Sequence, residues 1–267
     1  MKNKNIFIEL DKLIEKEKQT IIDFLKGLIE IPSVNPEFTD IKEHMGEAKG
    51  QDYLADKLSE LGGEINMWEP DPKKLQEFSG YPGYYPDRDF SGRPNLAAVF
   101  PGDDTGAQSL LLAGHIDTVN KEGKWNYPAF AGEIKDKKIY GLGSADMKGG
   151  LAAMVMALHF INKIGYQPKG NIIFASVVDE EAGGMGTLDF VEQGYKADAG
   201  ILAEPTALKV APLCRGILWG KIKIEGRGGH IEIDQPHWQN GGAVDGIKKA
   251  RFILDQIDRL NEEWAKK

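Results

Sequence analysis

The chain has 267 residues, of which 41% are hydrophobic and 28% are charged, and its formal net charge is −8 at pH 7. This composition is typical of a soluble globular protein, and the negative charge argues against nucleic acid or an anionic membrane as a partner. A single cysteine, Cys214, excludes an intrachain disulfide. Because no stretch approaches the roughly 18 apolar residues of a membrane helix and none resembles a signal peptide, we expect a cytoplasmic protein.

Apolar residues at helical spacing predict two helices in the first part of the chain. The first is expected at about Asp11–Glu30, and Pro32 and Pro36 end it. The second is expected at about Glu47–Leu61 and ends at two glycines. The segment Gly80–Pro94 is rich in Gly, Pro, Tyr and Asp and has no period, which predicts a loop or an insertion on the rim of the fold.

From residue 95 onward, short β-prone runs alternate with amphipathic helices. The four runs are Asn95–Phe100, Ser109–Ala113, Asn171–Val178 and Gly200–Ala203. Helices are predicted at about Met147–Ile164 and Gly186–Gln193, and Glu133–Tyr140 has the pattern of an added hairpin. Strands that are almost entirely apolar and alternate with helices indicate an α/β fold, with a mostly parallel sheet sandwiched by helices.

The pattern changes after Pro212, where we place the boundary between two domains, residues 1–212 and 213–267. Leu218–Glu225 alternates apolar and polar residues, which predicts a strand with one solvated face. A long amphipathic helix is expected at about Gly242–Trp264. Because its apolar stripe requires a partner surface, we interpret residues 213–267 as the beginning of a smaller α+β domain.

Polar residues follow the predicted parallel strands at the point where each strand ends, and ligands bind beyond such strand ends in open sheets. Five such residues are His115, Asp117, Glu180, Glu181 and Glu204. Asp146, at the start of the helix after the second strand, comes to the same edge. Each has an ordinary structural explanation when taken alone, as a buried histidine, a solvated loop or a helix cap. Their shared position at one edge of the sheet favours a single site.

One imidazole with several carboxylates suits zinc or a similar divalent ion. In an extended segment His115 and Asp117 lie on the same side, which allows Asp117 to orient the imidazole or a bound water. Neighbours such as Glu180 and Glu181 point to opposite sides of an extended segment. We therefore expect that one of them is free to act as a general base.

Four segments resemble, in order and spacing, the M20 metallopeptidase family. They are Gly114–Val119, Gly143–Gly150, Asp179–Gly184 and Ala203–Thr206. The family includes acetylornithine deacetylase, succinyl-diaminopimelate desuccinylase, aminoacylase and carboxypeptidase G. The segments Ile31–Pro36 and Gly226–His230 are similar to it as well, so that the resemblance extends over nearly the whole chain.

The resemblance implies a metal-dependent hydrolase that cleaves the amide bond of N-acyl amino acids, with residues 1–212 as its metal-binding catalytic domain. It implies two zinc ions, with cobalt or manganese as alternatives. His115 and Glu204 would bind one ion, Glu181 would bind the other, and Asp146 would bridge the two.

The resemblance also implies the roles of three catalytic residues. Asp117 supports His115, and Glu180 is the general base that acts on a water between the ions. His230 is similar to a histidine that reaches the site of a partner subunit and stabilises the oxyanion there. Residues 213–267 would accordingly begin a dimerisation or lid domain, and the full-length form is expected to be a homodimer.

Members of the family are longer than this chain, and a histidine near their C-terminus completes the second metal site. No residue follows Lys267 here, so we expect the site of Glu181 to bind metal weakly, and the activity of the chain alone stays open. Two alternatives also stay open. In the first, the enzyme acts on an amide that is not an amino acid derivative, such as a formylated pyrimidine amine. In the second, the chain is a remnant that binds metal or a partner without turnover.

Overall fold

The computed structural model describes residues 2–104, 106–214, 216 and 220–266. Within them the chain divides into two units, Met1–Val210 and Ala211–Lys267. The assignment of a catalytic and a dimerisation domain to the two parts of the chain stays a prediction. Among the described residues, none of the helices combines the length and the apolar character that crossing a bilayer requires.

A five-stranded sheet forms the centre of the first unit. In chain order, the strands are β1 (Glu64–Trp68), β2 (Asn95–Phe100), β3 (Leu110–His115), β4 (Glu133–Lys135), β5 (Lys138–Tyr140), β6 (Ile172–Val177) and β7 (Ala199–Leu202). The sheet has the order β1-β2-β6-β3-β7, and β4 and β5 form a separate hairpin, as predicted. Strand β3 pairs in parallel with β6 and β7, whereas β2 is antiparallel to β1 and β6. Four strands, β1, β3, β6 and β7, therefore run in one direction, and β2 runs in the other. The predicted α/β fold with a mostly parallel sheet is confirmed.

Helices cover both faces of this sheet. The helices of the first unit are α1 (Lys2–Lys16), α2 (Lys18–Glu30), α3 (Glu47–Glu60), α4 (Lys148–Lys163) and α5 (Met185–Glu192). Successive residues of β6 point to opposite faces. Phe174 packs in the cluster that contains Leu58 of α3 and Leu151 of α4, whereas Ile173 packs with Phe190 of α5. The last three helices lie close to their predicted bounds.

The first predicted helix is wrong in its start and in its continuity. Instead of one helix at Asp11–Glu30, the structure has α1 and α2, separated at Glu17, whose φ of −115° and ψ of 20° are not helical. The Glu17 carboxylate accepts hydrogen bonds from Lys163 of α4 at 2.7 and 2.6 Å. The helix begins earlier because the apolar stripe continues N-terminally through Leu10, which packs against the core.

Strand β1 was not expected from the sequence. It has only five residues and half-buried side chains at the edge of the sheet, so its apolar pattern is weak. The loop at Gly80–Pro94 is confirmed, because its residues form neither helix nor strand. This loop leads into β2, which runs against its neighbours.

The described part of the second unit contains one long helix, α6 (Gly246–Trp264). It begins later than predicted because Asp245 caps it, accepting hydrogen bonds from the backbone N–H groups of Ile247 and Lys248 at 2.9 and 3.1 Å. The predicted strand Leu218–Glu225 is wrong for its residues 220–225, and Leu218 and Trp219 lie outside the described residues. A strand needs a hydrogen-bonded partner, and the described part of this unit contains only the isolated bridge between Arg227 and Val244.

Candidate metal centre

The parallel strands deliver three of the predicted ligand segments to one edge of the sheet. Strand β3 ends at His115, which stands opposite Val177, the last residue of β6. Beyond β6 the chain enters the turn Asp179–Gly184, called the acidic turn below, which carries Glu180 and Glu181. Beyond β7 it reaches Glu204. Parallel strands that end together explain why residues far apart in sequence meet here.

Asp146 comes to the same place from the start of α4. Its peptide bond to Met147 is cis, and Met147 is fully buried against β3. A Cβ on Gly114 would lie 2.5 Å from Met147 Cε and 2.9 Å from Leu151 Cδ2, so a side chain there would force both neighbours to shift. The packing of Met147 over Gly114 thus places Asp146 beside His115.

The side chain of His115 is buried and lies at the centre of these carboxylates. Its Nε2 is 3.2 Å from Asp146 Oδ1, 3.7 Å from Glu180 Oε2 and 3.6 Å from Glu204 Oε1. Its Nδ1 lies 2.8 Å from the backbone carbonyl oxygen of Asp117. Because that oxygen only accepts, Nδ1 carries the hydrogen in this contact, and Nε2 is the nitrogen that faces the acids.

Among the residues that the structure describes, two overlapping groups of donors are close enough to hold an ion. One contains His115, Glu180 and Glu204, and the other contains His115, Asp146 and Glu181, with donor atoms within 4.8 Å of one another in each. Two donors that bind one ion at 2.0–2.2 Å lie at most about 4.4 Å apart. Small side-chain movements therefore bring either group into range, and the donor set fits a divalent cation.

Glu180 and Glu181 lie in a turn and not in an extended segment. The expectation that their side chains point to opposite sides of an extended segment is therefore wrong. The acidic turn is closed by hydrogen bonds from the N–H of Gly183 to the Glu180 carbonyl at 3.2 Å and from the N–H of Gly184 to the Asp179 carbonyl at 2.7 Å. The turn brings both carboxylates to His115. Which of the two is the general base stays a prediction.

Asp117 organises the site more broadly than the sequence indicated. Its side chain is fully buried. Besides the contact of its Oδ1 with His115 Nδ1 at 3.5 Å, the carboxylate accepts hydrogen bonds from the backbone N–H groups of Glu180 and Glu181, each at 3.2 Å. One carboxylate therefore orients both the histidine and the acidic turn, which is the arrangement that tunes metal ligands in proteins.

The sequence analysis missed Asn35, which is fully buried and donates to Asp117 Oδ2 at 2.8 Å. It lies in a segment that pairs with the chain beyond β3, since the N–H of Asn35 donates to the Thr118 carbonyl and the N–H of Thr118 donates to the Ser33 carbonyl, both at 2.9 Å. The segment Ile31–Pro36 was noted only for its resemblance. That resemblance was the available signal for a role at the site.

Lys148 was also missed, although it belongs to one of the motif segments. It is buried, and its Nζ donates to the carbonyl oxygens of Leu28 at 3.0 Å and Ile31 at 2.7 Å. Burial lowers the pKa of Lys148 to about 7. Its side chain ties the start of α4, and with it Asp146, to the end of α2.

The electrostatics of the site favour a bound cation. Burial raises the pKa of Glu181 and of Glu204 to about 7, and the neighbouring Asp146 carboxylate adds to both effects. Burial lowers the pKa of His115, but hydrogen bonds to Asp117 and Asp146 outweigh it and raise the value to about 11. The carboxylates gathered around His115 also repel one another when they are ionised, and a divalent ion neutralises that charge.

His230 lies in the second unit, where it is exposed. Its Nδ1 accepts a hydrogen bond from the backbone N–H of Glu232 at 3.2 Å. Its predicted role in the site of a partner subunit stays a prediction.

The chain is similar in sequence to proteins of known activity over most of its length. The deformylase of N-formyl-4-amino-5-aminomethyl-2-methylpyrimidine from Halalkalibacterium halodurans is 27% identical over 268 residues, which cover 98% of this chain and 57% of that protein. Succinyl-diaminopimelate desuccinylase from Methylobacterium radiotolerans is 34% identical over 250 residues, which cover 88% of this chain and 56% of that protein. The chain thus spans about half the length of the curated relatives it matches.

The fold is also similar to part of a longer solved structure. Human carnosine dipeptidase 1 superposes with a TM-score of 0.59 at 22% identity, covering 75% of this chain and 41% of that chain. The sequence model of the family described as Peptidase family M20/M25/M40 matches residues 111–251, which is more than half of the chain. The matched residues include every one that we place at the metal centre except Asn35. The chain belongs to peptidase family M20/M25/M40.

Proposed function

We propose that the first unit is the metal-binding part of an amidohydrolase that removes the acyl group from an N-acylated amine. The observation that carries the proposal is the convergence of Asp146, Glu180 and Glu204 within 3.7 Å of His115 Nε2. These donors come from separate segments of the chain, and bringing several carboxylates together has a free-energy cost that a bound cation offsets. Membership in the family supports the hydrolase class.

Zinc is the metal that the donor set favours, because imidazole nitrogen with carboxylate oxygen suits zinc better than magnesium or calcium. Cobalt and manganese are the alternatives. We assign His115 and Glu204 to one ion and Glu181 to the other, with Asp146 between them. Within the described residues both donor groups rely on His115, and its single Nε2 serves only one ion.

A divalent cation at this site would polarise the amide carbonyl and lower the pKa of water. The residues of the chain supply the proton transfers. We assign Glu180 as the general base, which takes a proton from water and gives it to the leaving amine. Burial raises the pKa of Glu180, which suits a base near neutral pH. Burial also raises the pKa of Glu181, so the choice between the two glutamates rests on the family resemblance.

Two substrate classes are supported by the relatives named above. N-acyl amino acids are supported by the desuccinylase, which has the higher identity, and a formylated pyrimidine amine is supported by the deformylase, whose match extends almost over the whole chain. Both reactions split an amide between a small acyl group and an amine. A homodimer in which His230 reaches a partner subunit belongs to the same proposal and rests on the resemblance. We also propose a cytoplasmic location, as expected from the sequence.

The proposal is tested by loading purified protein with zinc or cobalt and measuring the release of free amine. The substrates are N-formyl-4-amino-5-aminomethyl-2-methylpyrimidine, N-succinyl-diaminopimelate and a set of N-acetyl amino acids. We expect hydrolysis of one class, its loss on chelation, and its absence from the His115→Ala variant. Metal binding without hydrolysis of any of these substrates would favour the remnant that binds metal without turnover.

A further inference from the structure

Arg88, from the loop Gly80–Pro94, contacts the acidic turn. The side chain of Arg88 is buried, and its Nη2 donates to the Ala182 carbonyl at 2.9 Å. Its Nε lies 3.6 Å from Asp179 Oδ2. One guanidinium thus reaches the turn both before and after the two glutamates. Its Nη1 lies 2.8 Å from the half-exposed carboxylate of Glu37.

A second buried arginine from the same loop meets the other oxygen of Asp179. Arg93 Nη2 lies 3.4 Å from Asp179 Oδ1 and donates to Glu47 Oε1 at 3.1 Å. Arg93 Nε donates to the other oxygen of Glu47, which makes the pair bidentate. Because Glu47 lies in the first turn of α3, Arg93 connects the acidic turn to that helix.

Asp179 has a backbone conformation that needs support. Its φ is 64°, in the left-handed region, which aspartate adopts more readily than most residues but at a cost. Conformations of this kind persist where surrounding contacts determine them. Asp179 is fully buried, and its Oδ1 also accepts from Asn35 Nδ2 at 3.3 Å, the amide that holds Asp117.

Stability alone does not account for these charges. Burying ion pairs costs free energy that their attraction only partly offsets. Burial raises the pKa of Glu47 to about 7, even though the hydrogen bonds of Arg93 act in the opposite direction. A fixed geometry at the acidic turn is what the arrangement provides.

The geometry points to Arg88 and Arg93 as positioning residues that hold the acidic turn in the conformation that presents Glu180 and Glu181 to a metal ion. They act through Asp179 and the carbonyl group of Ala182. The inference rests on the proposed function, because it takes the acidic turn as a source of metal ligands. It gives the loop Gly80–Pro94 a role at the metal centre that its sequence did not indicate.

The principal test is Arg88→Met, which removes the contacts to Asp179, Ala182 and the half-exposed Glu37. Asp179 keeps its contact with Arg93. Hydrogen exchange at the amides of the acidic turn is measured without metal, and zinc affinity is measured by competition with a chelator. We expect faster exchange and an affinity about 10- to 100-fold weaker, the usual effect of losing a residue that orients metal ligands. Arg88→Lys keeps the positive charge but lacks the planar guanidinium with its several N–H donors, so it should retain part of the affinity that Arg88→Met loses.

A second variant distinguishes loss of positioning from simple misfolding. Arg93→Met combined with Glu47→Met removes both buried partners together, so that neither is left as an unpaired charge. It should fold yet bind zinc more weakly than the wild type. The control is Leu58→Ala, which removes a buried apolar side chain from the same helix as Glu47 and lowers stability without removing a hydrogen bond or ion pair of the turn. Its zinc affinity and the exchange of the acidic turn should match the wild type.

The outcomes separate this inference from the proposed function. Unchanged exchange in Arg88→Met overturns the inference, as does faster exchange with unchanged zinc affinity. An equal loss of affinity in Leu58→Ala reduces the role of the arginines to stability and also overturns it. If the wild type binds no zinc at all, the proposed function fails and the role at the metal centre fails with it, while the exchange data still show whether the arginines hold the turn.

Discussion

Asn35 Nδ2 lies 2.8 Å from Asp117 Oδ2, and both side chains are fully buried. The hydrogen bond joins two segments that are 82 residues apart in sequence. Since Asp117 also orients His115 and accepts from the acidic turn, the position of Asn35 affects every ligand segment that Asp117 touches.

Asn35→Ala should therefore weaken both the fold and the metal centre. Leaving a buried carboxylate without one of its donors costs about 1–3 kcal/mol in the free energy of unfolding, and zinc affinity should fall by about 10-fold or more. Urea denaturation and a zinc titration measure the two effects. Ser33→Ala is the matched control, because it removes the buried hydrogen bond from Ser33 to the Ile116 carbonyl at 2.7 Å without touching Asp117. Equal losses of zinc affinity in both variants would contradict a specific role for Asn35.

Glu180→Gln and Glu181→Gln should have different effects, although the two residues are neighbours. If Glu180 is the base, Glu180→Gln retains metal and loses roughly 10²–10⁴-fold in turnover. If Glu181 is a ligand, Glu181→Gln loses metal as well. Metal content and the rate of amine release measured on the same preparations decide between the roles. The reverse pattern would exchange the two assignments.

Zinc affinity should increase with pH in the neutral range. Burial raises the pKa of Glu181 and Glu204 to about 7, so both are protonated in the metal-free protein at lower pH. Protons must leave before these oxygens bind a cation. Affinity should therefore rise between about pH 6 and about pH 8 and fall as the pH drops through 7. Calorimetry in buffers of different ionisation enthalpy counts the protons released. An affinity independent of pH would argue against these groups as ligands.

The same shifts predict the opposite pH dependence for the stability of the metal-free protein. Groups whose pKa is raised on folding stabilise the fold below their unfolded pKa, and that contribution is lost as the pH rises through the folded value. Glu181 and Glu204 have pKa values raised to about 7 in the folded protein. The contribution of His115, whose pKa is raised to about 11, persists to higher pH. The melting temperature without metal should fall between about pH 6 and about pH 8, and the increase caused by zinc should grow. A metal-free melting temperature that rises over this range would contradict the shifts.

Most of the ligand cluster was predictable because all of its ligands except Asp146 follow strands of regular pattern. Once β3, β6 and β7 are parallel, their carboxyl ends must share an edge, and His115, Glu181 and Glu204 follow from that geometry. Resemblance to a family then added roles that position alone does not assign. The local conformation of the acidic turn was not predictable in this way, because a turn of mixed polar residues and glycine has no period.

The residues behind the ligands were not predictable from pattern. Arg88 and Arg93 lie in a loop without periodicity, and their partner Asp179 is 91 and 86 residues away along the chain. Whether a loop arginine is buried depends on tertiary contacts, since most arginines are exposed. The edge strand β1 was missed for a similar reason, because its pairing with β2 rather than its own sequence defines it.

The central claim is that a divalent ion binds where the strand ends converge. The most direct test is anomalous diffraction at the zinc absorption edge from crystals of the protein grown with zinc. The account predicts a strong anomalous peak about 2.0–2.2 Å from His115 Nε2, within the same distance of carboxylate oxygens of Asp146 and Glu204. A map without a peak at His115, or with zinc only at other surface residues, would contradict the account.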